Sequence, residues 1–163
     1  MDKNKFQQLL KKVEEAKKSG NFDLSTDEDL SIAVMNLISL EEHFFFTAEK
    51  TGKEEYIKML DQVREMRKSL LSQMIKTHEG ETWCISKHLL GTTMRLIEVG
   101  TKLQTAKKGK EAQEMFDNAY KIYSLFWALR LKLLELKDVK ATVGDEPWGY
   151  QDLVSKLVDC CKE

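Results

Sequence analysis

Hydrophobic residues recur along most of this sequence with the period of an amphipathic helix. In residues 3–19, apolar side chains fall three or four positions apart on one stripe, and mainly lysine and glutamate fill the other positions. The same period continues through residues 26–137 in four long segments of about seven turns each. The pattern therefore predicts an all-α protein.

Glycines and capping residues divide this pattern into separate helices. Residues 25–28, with the sequence Ser-Thr-Asp-Glu, form a capping box that predicts a helix start. Glycines follow the stretches of helical periodicity, where a left-handed residue commonly ends a helix. These glycines are Gly20, Gly52, Gly80, Gly109 and Gly144. The four long helices are thus predicted near residues 26–50, 53–77, 82–107 and 110–136.

Four long helices joined by short loops predict an up-down-up-down four-helix bundle. Residues 138–149 contain the only proline, Pro147, and are expected to form a loop. We expect one helical domain over residues 1–163, with the bundle at 26–137. An additional short helix is predicted at each terminus, over residues 3–19 and 150–161.

The near balance of basic and acidic residues argues against some classes of binding partner. The chain has 163 residues, with 26 lysines and arginines against 27 aspartates and glutamates, for a formal charge of −1. This balance argues against a nucleic-acid surface and against binding to an anionic membrane. Charges also interrupt the most apolar run, residues 122–136, well short of the roughly 20 residues of a membrane span. No secretion signal or disulfide framework is recognisable, so we expect a soluble, cytoplasmic protein.

Three of the long helices place one charged residue within an apolar face. These residues are Glu41, Arg67 and Arg130. An unpaired carboxylate is costly in an apolar interior, so Glu41 is expected to pair with Arg95 or Arg67. The adjacent Glu42 is expected at the flank of its helix, where it needs no buried partner.

The helix predicted at residues 82–107 is apolar on two sides, with a stripe of other residues between them. The stripe consists of Cys84, His88, Gly91, Arg95, Glu98 and Lys102. Counting residues from the predicted turns places Glu41 level with Arg95 and Tyr123. The same count places His88 level with Arg130.

Two interpretations of these polar residues remain open. In the first, a buried Glu/Arg/His network has a structural role and fixes which helices face each other. In the second, the arginines outnumber the buried carboxylate, and the interior of the bundle binds a small anion. The ligand-binding residues would then be Glu41, Arg67, His88, Arg95, Tyr123 and Arg130.

A zinc site is a further alternative. Cys84 and His88 are four positions apart on one helical face, which lets a thiolate and an imidazole bind one metal ion. His78 lies just upstream, and Cys160 or Cys161 would supply another ligand from the last helix. The competing interpretation is a core cysteine beside a hydrogen-bonded histidine. A di-iron site is disfavoured because the chain contains no Glu-x-x-His motif.

The sequence favours a protein without intrinsic catalysis. It contains neither the Gly-x-x-x-x-Gly-Lys nor the Gly-x-Gly-x-x-Gly phosphate-binding pattern. A helix N-terminus would favour a Cys84 thiolate, but Trp83 and Ile85 beside it suggest burial. We therefore predict a non-catalytic interaction or binding protein, with small-anion or zinc binding as the alternative. No cofactor is expected, with zinc as the alternative.

A homodimer or another protein partner is also predicted. Ile32, Met35 and Phe46 lie opposite the core face of the first long helix. Apolar residues on such a face need to be covered by a terminal helix or by a second subunit.

Overall fold

The four long helices are present in a computed structural model, which describes residues 24–75 and 81–132 together with the isolated residue Lys11. They are α1 (Ser25–Thr51), α2 (Glu54–Met74), α3 (Glu81–Thr105) and α4 (Gly109–Arg130). The described residues contain no strand, which confirms the all-α class. The predicted helices at 3–19 and 150–161 and the loop at 138–149 lie outside the described residues.

The two short turns between helices use different residues to reverse the chain. Gly52 ends α1 in the left-handed conformation, with φ of 67°, and donates its backbone N–H to the Ala48 carbonyl. This confirms the predicted role of that glycine. At the second turn the left-handed residue is Lys107, with φ of 58°, and Gly109 is instead the first residue of α4. The prediction for Gly109 is wrong because the reversal occurs two residues earlier.

Two helix ends also differ from the sequence prediction. Leu24 occupies the N-cap of α1, so Ser25 lies inside the first turn and the predicted capping box is not formed. Helix α4 ends at Arg130 rather than near residue 136. There, Lys132 adopts a left-handed φ of 55° and donates its N–H to the Leu129 carbonyl, which closes the helix.

The helices form two hairpins, α1 with α2 and α3 with α4, and the hairpins contact each other chiefly through α1 and α3. A shared core lies at the end of the molecule away from the Gly52 and Lys107 turns. Its buried residues are Val34, Met35, Leu71, Met74, Ile75, Trp83, Cys84, Leu90 and Phe126. Met35 was predicted to lie opposite the core, and its burial corrects that assignment.

Two long-range contacts hold the start of α1 against the end of α4. The Ser31 and Tyr123 hydroxyls are 2.7 Å apart, and Arg130 Nη2 donates to Asp27 Oδ2 at 2.8 Å. The Tyr123 ring stacks on Phe126, with centroids 6.1 Å apart, and thereby joins this contact to the core. None of the four helices combines the length and the hydropathy of a membrane-spanning segment.

Candidate functional site

The predicted charge on the inner face of α1, Glu41, is held by two arginines of α2. Arg67 donates to it through Nε at 2.6 Å and Nη2 at 3.4 Å, and Arg64 donates through Nε at 3.3 Å. The Arg67 side chain is 1% exposed and that of Glu41 is 13% exposed. Arg67 is therefore the partner of Glu41, one of the two that the sequence predicted.

Helical spacing explains why a guanidinium group is buried at this position. Arg67 shares one face of α2 with Leu60, Leu71 and Met74, all of which are buried. Removing an arginine from water is costly unless its donors are satisfied by an anion nearby. Glu41 supplies that anion, and because Arg64 binds the same carboxylate, the three side chains together carry a formal charge of +1.

Arg95 of α3 lies in a second polar cluster next to the first. It donates to Glu42 across the α1–α3 interface, to Ser39 at 3.0 Å and to Glu98 of its own helix at 2.5 Å. The side chains of Arg95 and Glu42 are both close to half exposed. Arg95 is thus a partner of Glu42 at the edge of the interface, and not of the more buried Glu41.

Residues of both clusters line one groove of about 700 Å³ between α1, α2 and α3. Helix α1 lies between α2 and α3 along it. The polar and charged lining residues are Glu41, Glu42, Arg64, Arg67, Lys87, His88, Thr92 and Arg95. The apolar lining residues and the glycine are Ile38, Phe45, Phe46, Leu60, Gly91, Leu96 and Val99. We refer to this feature as the α1–α3 groove.

Four of the six predicted ligand-binding residues line the α1–α3 groove: Glu41, Arg67, His88 and Arg95. His88 is exposed there, so its expected place in the interior is wrong. Sequence reasoning missed Arg64 and Lys87. A signal for Arg64 was available, because it precedes Arg67 by three positions and so lies on a neighbouring part of the same helical face.

The other two predicted residues, Tyr123 and Arg130, do not line the groove. Both contact the first turns of α1, through Ser31 and Asp27. Fourteen positions separate Asp27 from Glu41 on this helix, which corresponds to about 21 Å. The predicted level of Tyr123 with Glu41 is wrong, because Tyr123 contacts Ser31, ten positions earlier on α1.

The apolar part of the α1–α3 groove is open to solvent. Phe45 is 46% exposed and Phe46 is 57% exposed. Their rings contact each other edge to face, with centroids 5.3 Å apart. Val99 on the opposite wall is exposed as well. Phe45 was predicted to lie in the core and does not, whereas the prediction that Phe46 and Ile32 lie off the core face is confirmed.

The proposed metal ligands are in different environments. Cys84 is 2% exposed and belongs to the core, whereas His88, one turn later, is exposed. Within residues 24–75 and 81–132, no group of three or more His, Cys, Asp or Glu side chains is arranged to bind a metal ion. His78, Cys160 and Cys161 lie outside these ranges. Zinc binding stays a prediction, which elemental analysis of the purified protein can test.

Comparison with known proteins found no matching family model, no matching curated protein and no matching solved structure. We therefore infer a function from the shape, exposure and lining residues of the α1–α3 groove.

Proposed function

We propose that this chain is a non-catalytic interaction protein that binds a helix of its partner in the α1–α3 groove. The observation that carries the proposal is the exposure of Phe45, Phe46 and Val99 along one open groove. Burying a fully exposed apolar side chain contributes about 1.5–3 kcal/mol, and these three side chains, which are about half exposed, would each contribute about half of that when covered. Three such residues in one groove form an apolar surface, and an amphipathic helix can bind such a surface with its own apolar face.

The two carboxylates of the groove support binding rather than catalysis. Glu41 and Glu42 are its two carboxylates, and both accept hydrogen bonds from arginine side chains. A general base needs a carboxylate or imidazole that can accept a proton from the substrate. A carboxylate that is already bound by a guanidinium group is a weaker proton acceptor. Glu41 and Glu42 are therefore suited to holding neighbouring helices together rather than to acting as general bases.

The proposal extends to the whole chain as one cytoplasmic domain. Contacts of Ile38 with Gly91 and of Ser39 with Arg95 are consistent with parallel α1 and α3. That direction fits an up-down-up-down bundle, to which residues 3–19 and 150–161 would add one helix each. The formal charge of −1 supports a protein partner rather than nucleic acid or a membrane.

The decisive experiment is chemical-shift mapping on the full chain with an amphipathic helical peptide whose polar face is uncharged. We expect the largest shifts at Ile38, Phe45 and Val99, and no comparable shifts with a scrambled peptide. Val99→Ser should weaken binding, whereas the control Ile97→Ser should not, because Ile97 is equally exposed on α3 but does not line the groove. Shifts that are absent, or that lie elsewhere, would contradict the proposal.

A small anion is the second candidate ligand, favoured by the two arginines that share Glu41. Guanidinium groups bind phosphate and carboxylate through paired hydrogen bonds. In this case millimolar inorganic phosphate should raise the melting temperature of the wild-type chain but not that of Arg64→Ala. An equal effect on both proteins would exclude a phosphate site at Arg64.

A further inference from the structure

We infer that residues 3–19 of this chain pack as a helix on the side of the α1–α2 hairpin that faces away from the α1–α3 groove. That side carries exposed and partly buried apolar side chains from both helices, and we refer to it as the outer face. Its residues are Ala33, Leu37, Leu40 and Phe44 of α1 and Met59, Val63, Met66 and Leu70 of α2. The inference concerns a different surface from the proposed function and does not depend on it.

Helical geometry separates the outer face from the α1–α3 groove. Side chains two positions apart point about 160° away from each other around a helix. On α1, Leu40 lies two positions from Ile38, which lines the groove. On α2, Met66 lies two positions from Arg64, which also lines the groove. Leu40 and Met66 therefore lie together on the side of the hairpin opposite to the groove.

The described contacts of the second hairpin leave the outer face open. Leu40 and Met66 are both exposed, Met66 by 56%. Helix α3 contacts α1 at Ile38, on the groove side. Helix α4 contacts α1 at Ser31, two positions from Ala33 and therefore on the other side of α1 from the outer face. An apolar surface of this kind is expected to have an occupant.

Residues 3–19 have the pattern and the length of such an occupant. Their apolar stripe consists of Phe6, Leu9, Leu10, Val13 and Ala16. Lys11, the described residue of this segment, is helical and exposed, as a position away from the stripe should be. A helix over residues 3–19 spans about 25 Å, and the outer face between Ala33 and Phe44 spans about 17 Å along α1.

The connection to α1 places this segment beside the outer face. Gly20 is predicted to end the first helix, and residues 20–24 are enough to reverse the chain into an antiparallel helical hairpin. A reversal centred near residue 22 places Phe6 level with Ile38, within one turn of Leu40. The apolar stripe then extends along the outer face from its Ala33 end.

The C-terminal residues 150–161 are a poorer fit for the outer face. They follow α4, which contacts α1 at Ser31, on the other side of the helix from Ala33. Residues 133–149 would have to carry the chain around α1, whereas residues 3–19 are joined to α1 by a short connection.

Photocrosslinking on the full chain identifies what covers the outer face. A benzoylphenylalanine incorporated at Met66 should crosslink to residues 3–19 of the same chain. Incorporated at Ile57, which is also exposed but lies nine positions away and so on the opposite side of α2, it should give no such crosslink. A mixture of isotopically labelled and unlabelled chains separates crosslinks within one chain from those between two. Crosslinks from Met66 to residues 150–161 or to a second chain, or none to residues 3–19, would overturn the inference.

Hydrogen exchange measured by mass spectrometry tests the same contact without a crosslinker. Leu9→Ser, on the apolar stripe, should speed exchange of the amides of residues 3–19 by about tenfold. Lys11→Ser, two positions later and on the opposite side of the helix, should change it by about twofold or less. Met66→Ser should also speed exchange in residues 3–19, because it weakens the surface that the segment contacts, whereas Ile57→Ser should not. Equal effects within either pair of variants would contradict the inference.

Discussion

Glu41 Oε1 lies 2.6 Å from Arg67 Nε, and this contact joins two helices across the Gly52 turn. The side chains of this pair are 1% and 13% exposed, compared with 28% and 20% for the Arg130–Asp27 pair. Its neighbour, the Glu42–Arg95 pair, has the same chemistry but is close to half exposed. The two adjacent glutamates therefore offer a direct comparison of buried and exposed ion pairs.

Glu41→Ala should destabilise the protein by about 3–5 kcal/mol, because it leaves the buried Arg67 guanidinium without its carboxylate. Glu42→Ala should cost less than about 1 kcal/mol, because its pair is exposed to solvent. Urea unfolding of the two variants beside the wild type measures both values. Equal, small losses would mean that Arg67 is accessible to water in solution.

Gly100→Ala should destabilise the α3–α4 hairpin although alanine favours helix formation. A Cβ atom at position 100 would lie 2.5 Å from Cε1 of Phe116. We expect the resulting clash to exceed the roughly 1 kcal/mol gained from helix propensity. Gly91→Ala is the control, because its Cβ would approach the Ile38 side chain only to 3.2 Å.

Thermal melts should therefore give a lower midpoint for Gly100→Ala than for Gly91→Ala. In a Phe116→Ala background, the substitution at Gly100 should become neutral or stabilising. If Gly100→Ala remains destabilising to the same extent in that background, Phe116 is not the cause.

Lys107→Gly should stabilise the turn between α3 and α4. Lys107 has φ of 58°, a conformation that costs an L-residue about 1–2 kcal/mol. Glycine avoids this cost but loses more backbone entropy on folding, so the expected net gain is about 0.5 kcal/mol. Chemical denaturation should show this gain, and Lys102→Gly, at an exposed position within α3, should instead lose about 1 kcal/mol because glycine disfavours a helix interior.

The predicted homodimer can be tested by size exclusion with light scattering at micromolar concentration. If a second subunit covers the exposed Ile32 and Phe46, the mass should be twice that of the chain. Replacing both residues with lysine should then restore the single-chain mass, because charged side chains oppose burial. A monomeric wild type would contradict the homodimer and leave these residues for another partner.

Local periodicity was sufficient to predict several features of the structure. Arg67 lies on the same buried face of α2 as Leu60 and Met74, as their spacing indicated. The Gly52 turn was also predicted, because a left-handed glycine after a helix is a local signal. Such features depend on residues within a few turns of each other.

Features that depend on how separate hairpins fit together could not be predicted in the same way. Tyr123 was expected level with Glu41 but contacts Ser31. The displacement arises because no short turn fixes the offset between α1 and α4. Likewise, Met35 and Phe45 exchanged their expected environments, because which side of α1 is covered depends on the position of the other hairpin.

The contacts between α1 and α4 have a consequence for the order in which the chain folds. Ser31 and Tyr123 are 92 positions apart, and Asp27 and Arg130 are 103 apart, whereas each hairpin closes over a short turn. Closing a longer loop costs more chain entropy, and contacts distant in sequence generally form more slowly. We therefore expect each hairpin to assemble first, with the Ser31–Tyr123 and Asp27–Arg130 contacts forming as the two hairpins dock.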